Sequence, residues 1–391
     1  MAVLLFVHGV ATRESKDYDA AVKARGRRFR EVAFAGAQLS VRDTYWGSFG
    51  ANPRWQLACI PVMRTEYQDL GVGGDVALAF DHDAAGSDKV VAAGRADLAA
   101  TVAALSVEDL TVLEAEGDED ALRRAERFWA AAAAYADRLP HPGWLDDVVS
   151  DEEFGAHLRE QVEPLVGEQD LGLLDPIANA VQRISGAISN WVNAPIARIG
   201  REGLSPSVAI FVGDVFRYLR EAEPRASIRQ VVIADLVSAA KDAQRTSAPL
   251  VVVGHSMGGI ILYDLLSDAA VMAELDGQLE QPLKVDLLLT IGSQVGLFEE
   301  LKLFTSSSDE RFHSADPPLN RVPRPARTER WWNVFDRMDV LSFLAEPVFD
   351  GVTDFEADTI AGVRGAHGAY FTNMVFYERL NRRLRDAGLL A

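Results

Sequence analysis

The sequence predicts an α/β protein: a mostly parallel sheet with helices on both faces, interrupted by a large helical insertion. Three observations carry that expectation. Val3–Val7, Leu250–Val253, Val285–Ile291 and Trp331–Phe335 are short runs dominated by β-branched, leucine and aromatic residues, the composition of strands buried on both faces. Helical patterns at Ser227–Ala243 and Met257–Leu266 alternate with the later runs, and strands alternating with helices imply parallel pairing. Between Asn52 and Ser205 the strand pattern stops and alanine-rich helical segments take over. The core is therefore assigned to residues 1–50 and 206–391, and the insertion, read as a cap, to 51–205.

In chain order, Val3–Val7 is the first strand and ends in His8-Gly9-Val10. No basic residue precedes it and the apolar run is short, so it reads as a strand and not as a signal peptide. A basic helix is expected around Ala20–Ala33, then a second strand over Gln38–Tyr45 ending at Trp46-Gly47. Within the insertion, helices are expected over Val91–Leu105 and Ala121–Leu139, with a break at Pro140–Gly143. Pro176–Ile199 places Ile177, Val181, Ile184, Ile188 and Trp191 at spacings of four, three, four and three, one apolar face of a helix. That face suits an acyl pocket or plain packing within the insertion. After Pro206 come helices at Val208–Arg220 and Ser227–Ala243, the strand Leu250–Val253, and a helix from about Met257. The strand Val285–Ile291 ends in Gly292-Ser293, and a Pro/Arg-rich loop spans Ser314–Arg330. Trp331–Phe335 is the next strand, and Phe371–Asp386 the final helix.

Composition narrows the function classes. At 391 residues and 48% hydrophobic, the chain can build a sizeable core. Cys59 is its one cysteine, so no intramolecular disulfide forms; a reducing, cytoplasmic setting is expected. The net charge of −19 argues against nucleic acid as a partner and against electrostatic docking on anionic membranes. The acidity is concentrated, with 18 Asp/Glu against 5 Arg between Ser106 and Asp170, which reads as a solvated helical surface. No apolar run is long enough for a membrane span.

The chemistry is concentrated at Gly254-His255-Ser256-Met257-Gly258, between a buried strand and an apolar helix. This is a G-x-S-x-G nucleophile elbow. A serine on so sharp a turn needs a strained backbone, and glycine two positions to either side removes the Cβ atoms that would collide. The helix N-terminus beneath it favours developing negative charge. Serine needs a base, and the base an orienting carboxylate. Among the histidines, His367 lies in a glycine-flanked segment, Arg364-Gly-Ala-His-Gly-Ala-Tyr370, read as a loop entering the last helix; it is the candidate base, with His313 in reserve. His255 is read as turned away from Ser256. Asp336 and Asp339 both follow the strand Trp331–Phe335. Asp339 reaches further over the strand end and is preferred as the acid, with Asp336 capping the turn. For the oxyanion, Met257 N–H is one donor and Val10 N–H, in the loop after the first strand, is the other.

With these residues the chain resembles an α/β-hydrolase of the lipase/esterase kind. The matching pieces are Leu5-Phe-Val-His-Gly9, Val253-Gly-His-Ser-Met-Gly-Gly259, Leu289-Thr-Ile-Gly-Ser293, and Trp332 to Asp339 together with His367. Gly213-Asp-Val-Phe-Arg-Tyr-Leu219 and Ile261-Leu-Tyr-Asp-Leu265 are loosely similar to GPI-inositol-deacylase-like and DDHD-type phospholipases. Where such lipases often have proline after the Gly-Ser, this chain has Gln294. The resemblance implies an α/β-hydrolase fold and cleavage of a carboxylic ester through an acyl-enzyme on Ser256. It implies no cofactor and no metal, and a small-molecule or lipid ester as substrate, with transient contact to a lipid surface compatible with that. The alternative is a hydrolase-fold binding protein whose acidic insertion engages a partner. In that reading Arg321, Arg324, Arg327 and Arg330 offer a second surface for phosphate groups or an acidic partner.

Overall fold

A computed structural model describes residues 1–10, 12, 16–52, 89–166, 210–220, 223–308, 321–359 and 362–390. The stripe at Pro176–Ile199, His313 and Cys59 lie outside the described residues.

Strand β1 (Ala2–Val7) leads into helix α1 (Lys16–Arg28), which continues through a wider turn at Phe29–Ala33 to β2 (Leu39–Thr44). Five helices follow: α2 (Lys89–Ala96), α3 (Leu98–Glu116), α4 (Glu119–Arg138), the single turn α5 (Trp144–Asp147) and α6 (Asp151–Val166). Val91–Leu105, read as one helix, is two. Asp97 has an extended backbone and its side chain accepts from Ala100 N–H, so it ends one helix and caps the next. Residues 210–219 are helical, and α7 (Glu223–Thr246) precedes β3 (Leu250–His255) and the elbow helix α8 (Met257–Ser267). Then come α9 (Ala269–Asp276), β4 (Leu287–Ile291), α10 (Val295–Glu300) and the short β5 (Val322–Pro323). The chain continues through β6 (Trp331–Phe335), β7 (Phe349–Asp350), β8 (Val352–Glu356), α11 (Gly362–Ala369) and α12 (Met374–Asp386).

Six strands form one sheet in the order β2-β1-β3-β4-β6-β8, and every neighbouring pair is parallel. The period of two splits each central strand between two cores. Leu4, Phe6, Val251, Val253, Leu289 and Trp332 face one, with α3, α4 and α12. Val3, Leu5, Val252, Leu288 and Trp331 face the other, with α7 and α8. Both faces are covered, which is why β1 and β3 are apolar throughout rather than alternating. The described part of the insertion belongs to the first core. It packs against α1 and α12 as a layer on that face.

Two further segments depart from the sequence expectation. β8 pairs with the far side of β6, so Trp331–Phe335 is not the last strand. Its sequence, Val-Thr-Asp-Phe-Glu, is half exposed, and an edge strand with charged residues carries a weak apolar signal. His367 is on the last turn of α11, not in a loop.

All six strands point the same way, so their carboxyl ends share one rim of the sheet. After β1 the chain crosses to β2 on one side, and β3 lies on the other. The rim between β1 and β3 is thus a topological switch point, where open parallel sheets form their binding crevice. Gly9 and Ser256 follow those two strands.

Candidate active site

Ser256 separates β3 from α8 with φ 52° and ψ −125°, a conformation that L-residues rarely adopt and that costs on the order of 1–3 kcal/mol. Its surroundings fix it from both sides. Ser256 N–H donates to Ile291 O at 2.9 Å, and its carbonyl accepts from Gly259 N–H at 3.0 Å and from the Ser293 hydroxyl at 2.9 Å. The turn also demands two close approaches. A Cβ on Gly258 would lie 2.1 Å from Val7 O, and one on Gly9 would lie 2.7 Å from Ser256 Cβ. Only glycine lets the end of β1 and the elbow come so near.

His367 meets the candidate acid directly. Its Nδ1 lies 2.9 Å from Asp339 Oδ2, with the carboxylate buried. Asp339 Oδ1 accepts from Leu341 N–H at 3.0 Å, and the Tyr370 hydroxyl donates to Oδ2 at 3.0 Å. Asp336 is engaged elsewhere. Its Oδ1 takes Met338 N–H at 2.7 Å, and its Oδ2 takes the backbone N–H and the hydroxyl of Thr359. Of the two carboxylates, the structure brings Asp339 to His367 and leaves Asp336 closing the loop.

Two further candidate atoms lack partners. Ser256 Oγ and His367 Nε2 are both buried with no hydrogen bond among the described residues. Buried polar atoms are normally satisfied; here neither atom is, and the two are not hydrogen-bonded to each other.

His255 has a larger part than its sequence position suggests. Its Nε2 lies 2.8 Å from the carbonyl of His367, so that nitrogen carries the proton and donates. Burial, then the neighbouring His367, push the His255 pKa well below the ordinary value, so the ring is neutral at pH 7. The elbow strand thereby holds the backbone of the candidate base. Gln294 ties the same region from below, donating through Nε2 to Gly292 O at 3.1 Å and to Leu341 O. Neither contact has a local sequence signal, because each partner lies far along the chain or in an irregular loop.

The loop after β1 is ordered around His8. Trp46 N–H donates to His8 Nε2 at 3.1 Å, and Trp46 Nε1 donates to His8 O at 2.8 Å, with the two rings stacked. Since Nε2 accepts, the proton is on Nδ1, which donates to Gly9 O at 2.7 Å. The Thr12 hydroxyl adds a bond to Gly9 O at 3.2 Å. In a trans peptide, N–H and C=O point in opposite directions. With Gly9 O held towards His8 and Thr12, Val10 N–H is directed away from them. Met257 opens α8, where the first N–H groups have no partner within the helix.

Among the described residues, no group of three or more His, Cys, Asp or Glu side chains could hold a metal ion, and no helix is long and apolar enough to cross a membrane. A cavity of about 600 Å³ is lined by Asp97, Trp332, Phe355, Arg379 and Arg383 on the first-core face; none of the triad candidates lines it. Two of the four loop arginines are engaged within the structure. Arg324 donates to Thr328 O at 2.8 Å, and Arg327 pairs with Asp276 at 2.5 Å. Compared with known proteins, the chain matches no family model, no curated protein and no solved structure.

Proposed function

We propose that the protein is a serine hydrolase of the α/β-hydrolase kind, lipase/esterase type, that cleaves carboxylic esters through an acyl-enzyme on Ser256. One observation supports this above the rest: His367, with Nδ1 bonded to Asp339 and Nε2 unpartnered, is tied through its carbonyl to His255, the chain neighbour of a strained serine whose buried Oγ is unpartnered. In this reading Ser256 Oγ attacks the ester carbonyl carbon as His367 Nε2 takes its proton. Asp339 holds the ring in the tautomer with the proton on Nδ1, leaving Nε2 as the base, and stabilises the imidazolium that forms. The carbonyl oxygen, now negative, sits against Val10 and Met257 N–H. The C–O bond to the leaving alcohol breaks as His367 returns the proton to that oxygen. Water, deprotonated by the same nitrogen, then releases the acid and regenerates Ser256.

The test is labelling of the purified protein with a fluorophosphonate, followed by turnover of p-nitrophenyl esters and phospholipids. The wild type should be labelled at Ser256 and hydrolyse at least one ester. Ser256→Ala and His367→Ala should each abolish turnover. Turnover that survives in Ser256→Ala rejects the assignment.

A further inference from the structure

Asp339 serves two side-chain donors through one atom. Oδ2 accepts from His367 Nδ1 at 2.9 Å and from the Tyr370 hydroxyl at 3.0 Å. Tyr370 is fully buried, three residues past His367. Burial, then the adjacent Asp339 charge, push its phenol well above the ordinary value, so it remains a donor wherever an imidazole titrates. Among the described residues, the other titratable groups around the site are bonded elsewhere. His255 donates to His367 O, Asp336 is held by Thr359 and Met338, Arg25 pairs with Asp43, and His8 is bonded to Gly9 and Trp46.

We propose that Tyr370 is a positioning residue that sets the proton affinity of His367 by competing with it for Asp339 Oδ2; this rests on the serine-hydrolase reading. A carboxylate oxygen that already accepts a short O–H bond attracts a second donor less strongly. The loss falls mainly on the imidazolium, whose charged N–H makes the stronger bond. Tyr370 therefore weakens the hold of Asp339 on the protonated ring relative to an Oδ2 that served His367 alone.

The test is a ¹⁵N-histidine NMR titration of His367, with its signal assigned by its loss in His367→Gln. It is run on wild type, on Tyr370→Phe, and on protein carrying 3-fluorotyrosine in place of Tyr370, whose hydroxyl is a stronger donor. The pH profile of fluorophosphonate labelling at Ser256 is measured in parallel. Tyr370→Phe should raise the His367 pKa by about one unit, and fluorotyrosine should lower it by about half a unit. The acid limb of the labelling profile should move with it. A merely structural tyrosine would change rate or melting temperature and leave the pKa in place, so an unshifted series overturns the proposal. If Tyr370→Phe does not fold, the fluorinated protein, which keeps ring and hydroxyl, decides: no downward shift overturns the proposal. The two readings fail separately. An ordered titration series without labelling of Ser256 rejects the hydrolase and retains the coupling; labelling with a flat series does the reverse.

Discussion

Ser256 combines a positive-φ backbone with a buried hydroxyl that bonds to nothing described. Both features are unfavourable for folding, and both suit a nucleophile. Removing the hydroxyl alone, in Ser256→Ala, should raise stability by about 1 kcal/mol in urea denaturation, because the desolvated oxygen is lost. Ser256→Gly relieves the backbone as well and should be at least as stable; a marked loss in both variants would show that the hydroxyl has a structural partner. Asp339→Asn should lower turnover by about 10³–10⁴-fold, since an amide cannot hold the correct imidazole tautomer. Asp336→Asn should lower the melting temperature through its lost bonds to Thr359 and affect turnover far less. His255 gives a pH signature. Its folded pKa lies below the unfolded 6.5, so below that pH the unfolded chain binds a proton that the native state refuses. Stability should then fall with acidification, at up to about 1.4 kcal/mol per pH unit. Thermal melts of wild type and His255→Asn between pH 5 and 7.5 should show a shallower slope in the variant.

At the scale of elements, a buried side chain links the described part of the helical insertion to the turn after His367. Arg28, at the end of α1, pairs with Glu114 of α3 at 2.6 Å and Glu126 of α4 at 2.9 Å. Its third bond goes to Phe371 O at 2.6 Å, in the turn just past His367 and Tyr370. Arg28→Met leaves Phe371 O without its donor and part-exposed Glu114 without its cation, while Glu126 keeps Arg27; it should destabilise the fold by about 1–3 kcal/mol, measured by chemical denaturation. The strands β1, β3, β4 and β6 and the elbow were legible in sequence because each is a compact pattern of apolar residues or glycines. Asp339 was separable from Asp336 only by its reach past the strand end. What the sequence did not disclose depends on distant partners. Tyr370 looks like any aromatic beside a helix until Asp339 lies against its hydroxyl, and Gln294 looks like an ordinary polar residue until Leu341 O does. β8 was missed because an edge strand needs charge where a central one needs valine. The helical state of His367, among glycines that disfavour it, reflects tertiary bonds such as that from His255.

For the molecule as a whole, the acidity of the insertion is partly turned inward. Glu114 and Glu126 bind Arg27 and Arg28, and Asp137 binds Arg379 and Arg382 of α12, so part of the excess negative charge fastens layers together. The sheet order has a kinetic consequence. Val3 pairs with Ser40 on one side and with Leu250 on the other, so the central strand has its second neighbour only after a very long loop is closed. Closures of that kind are slow compared with local helix pairing. In refolding, the amides of α3 and α4 should therefore gain protection from hydrogen exchange before those of β1 and β3. Reactivity at Ser256 should return last, lagging the recovery of helical circular dichroism, because Gly9 meets the elbow only when that closure is complete.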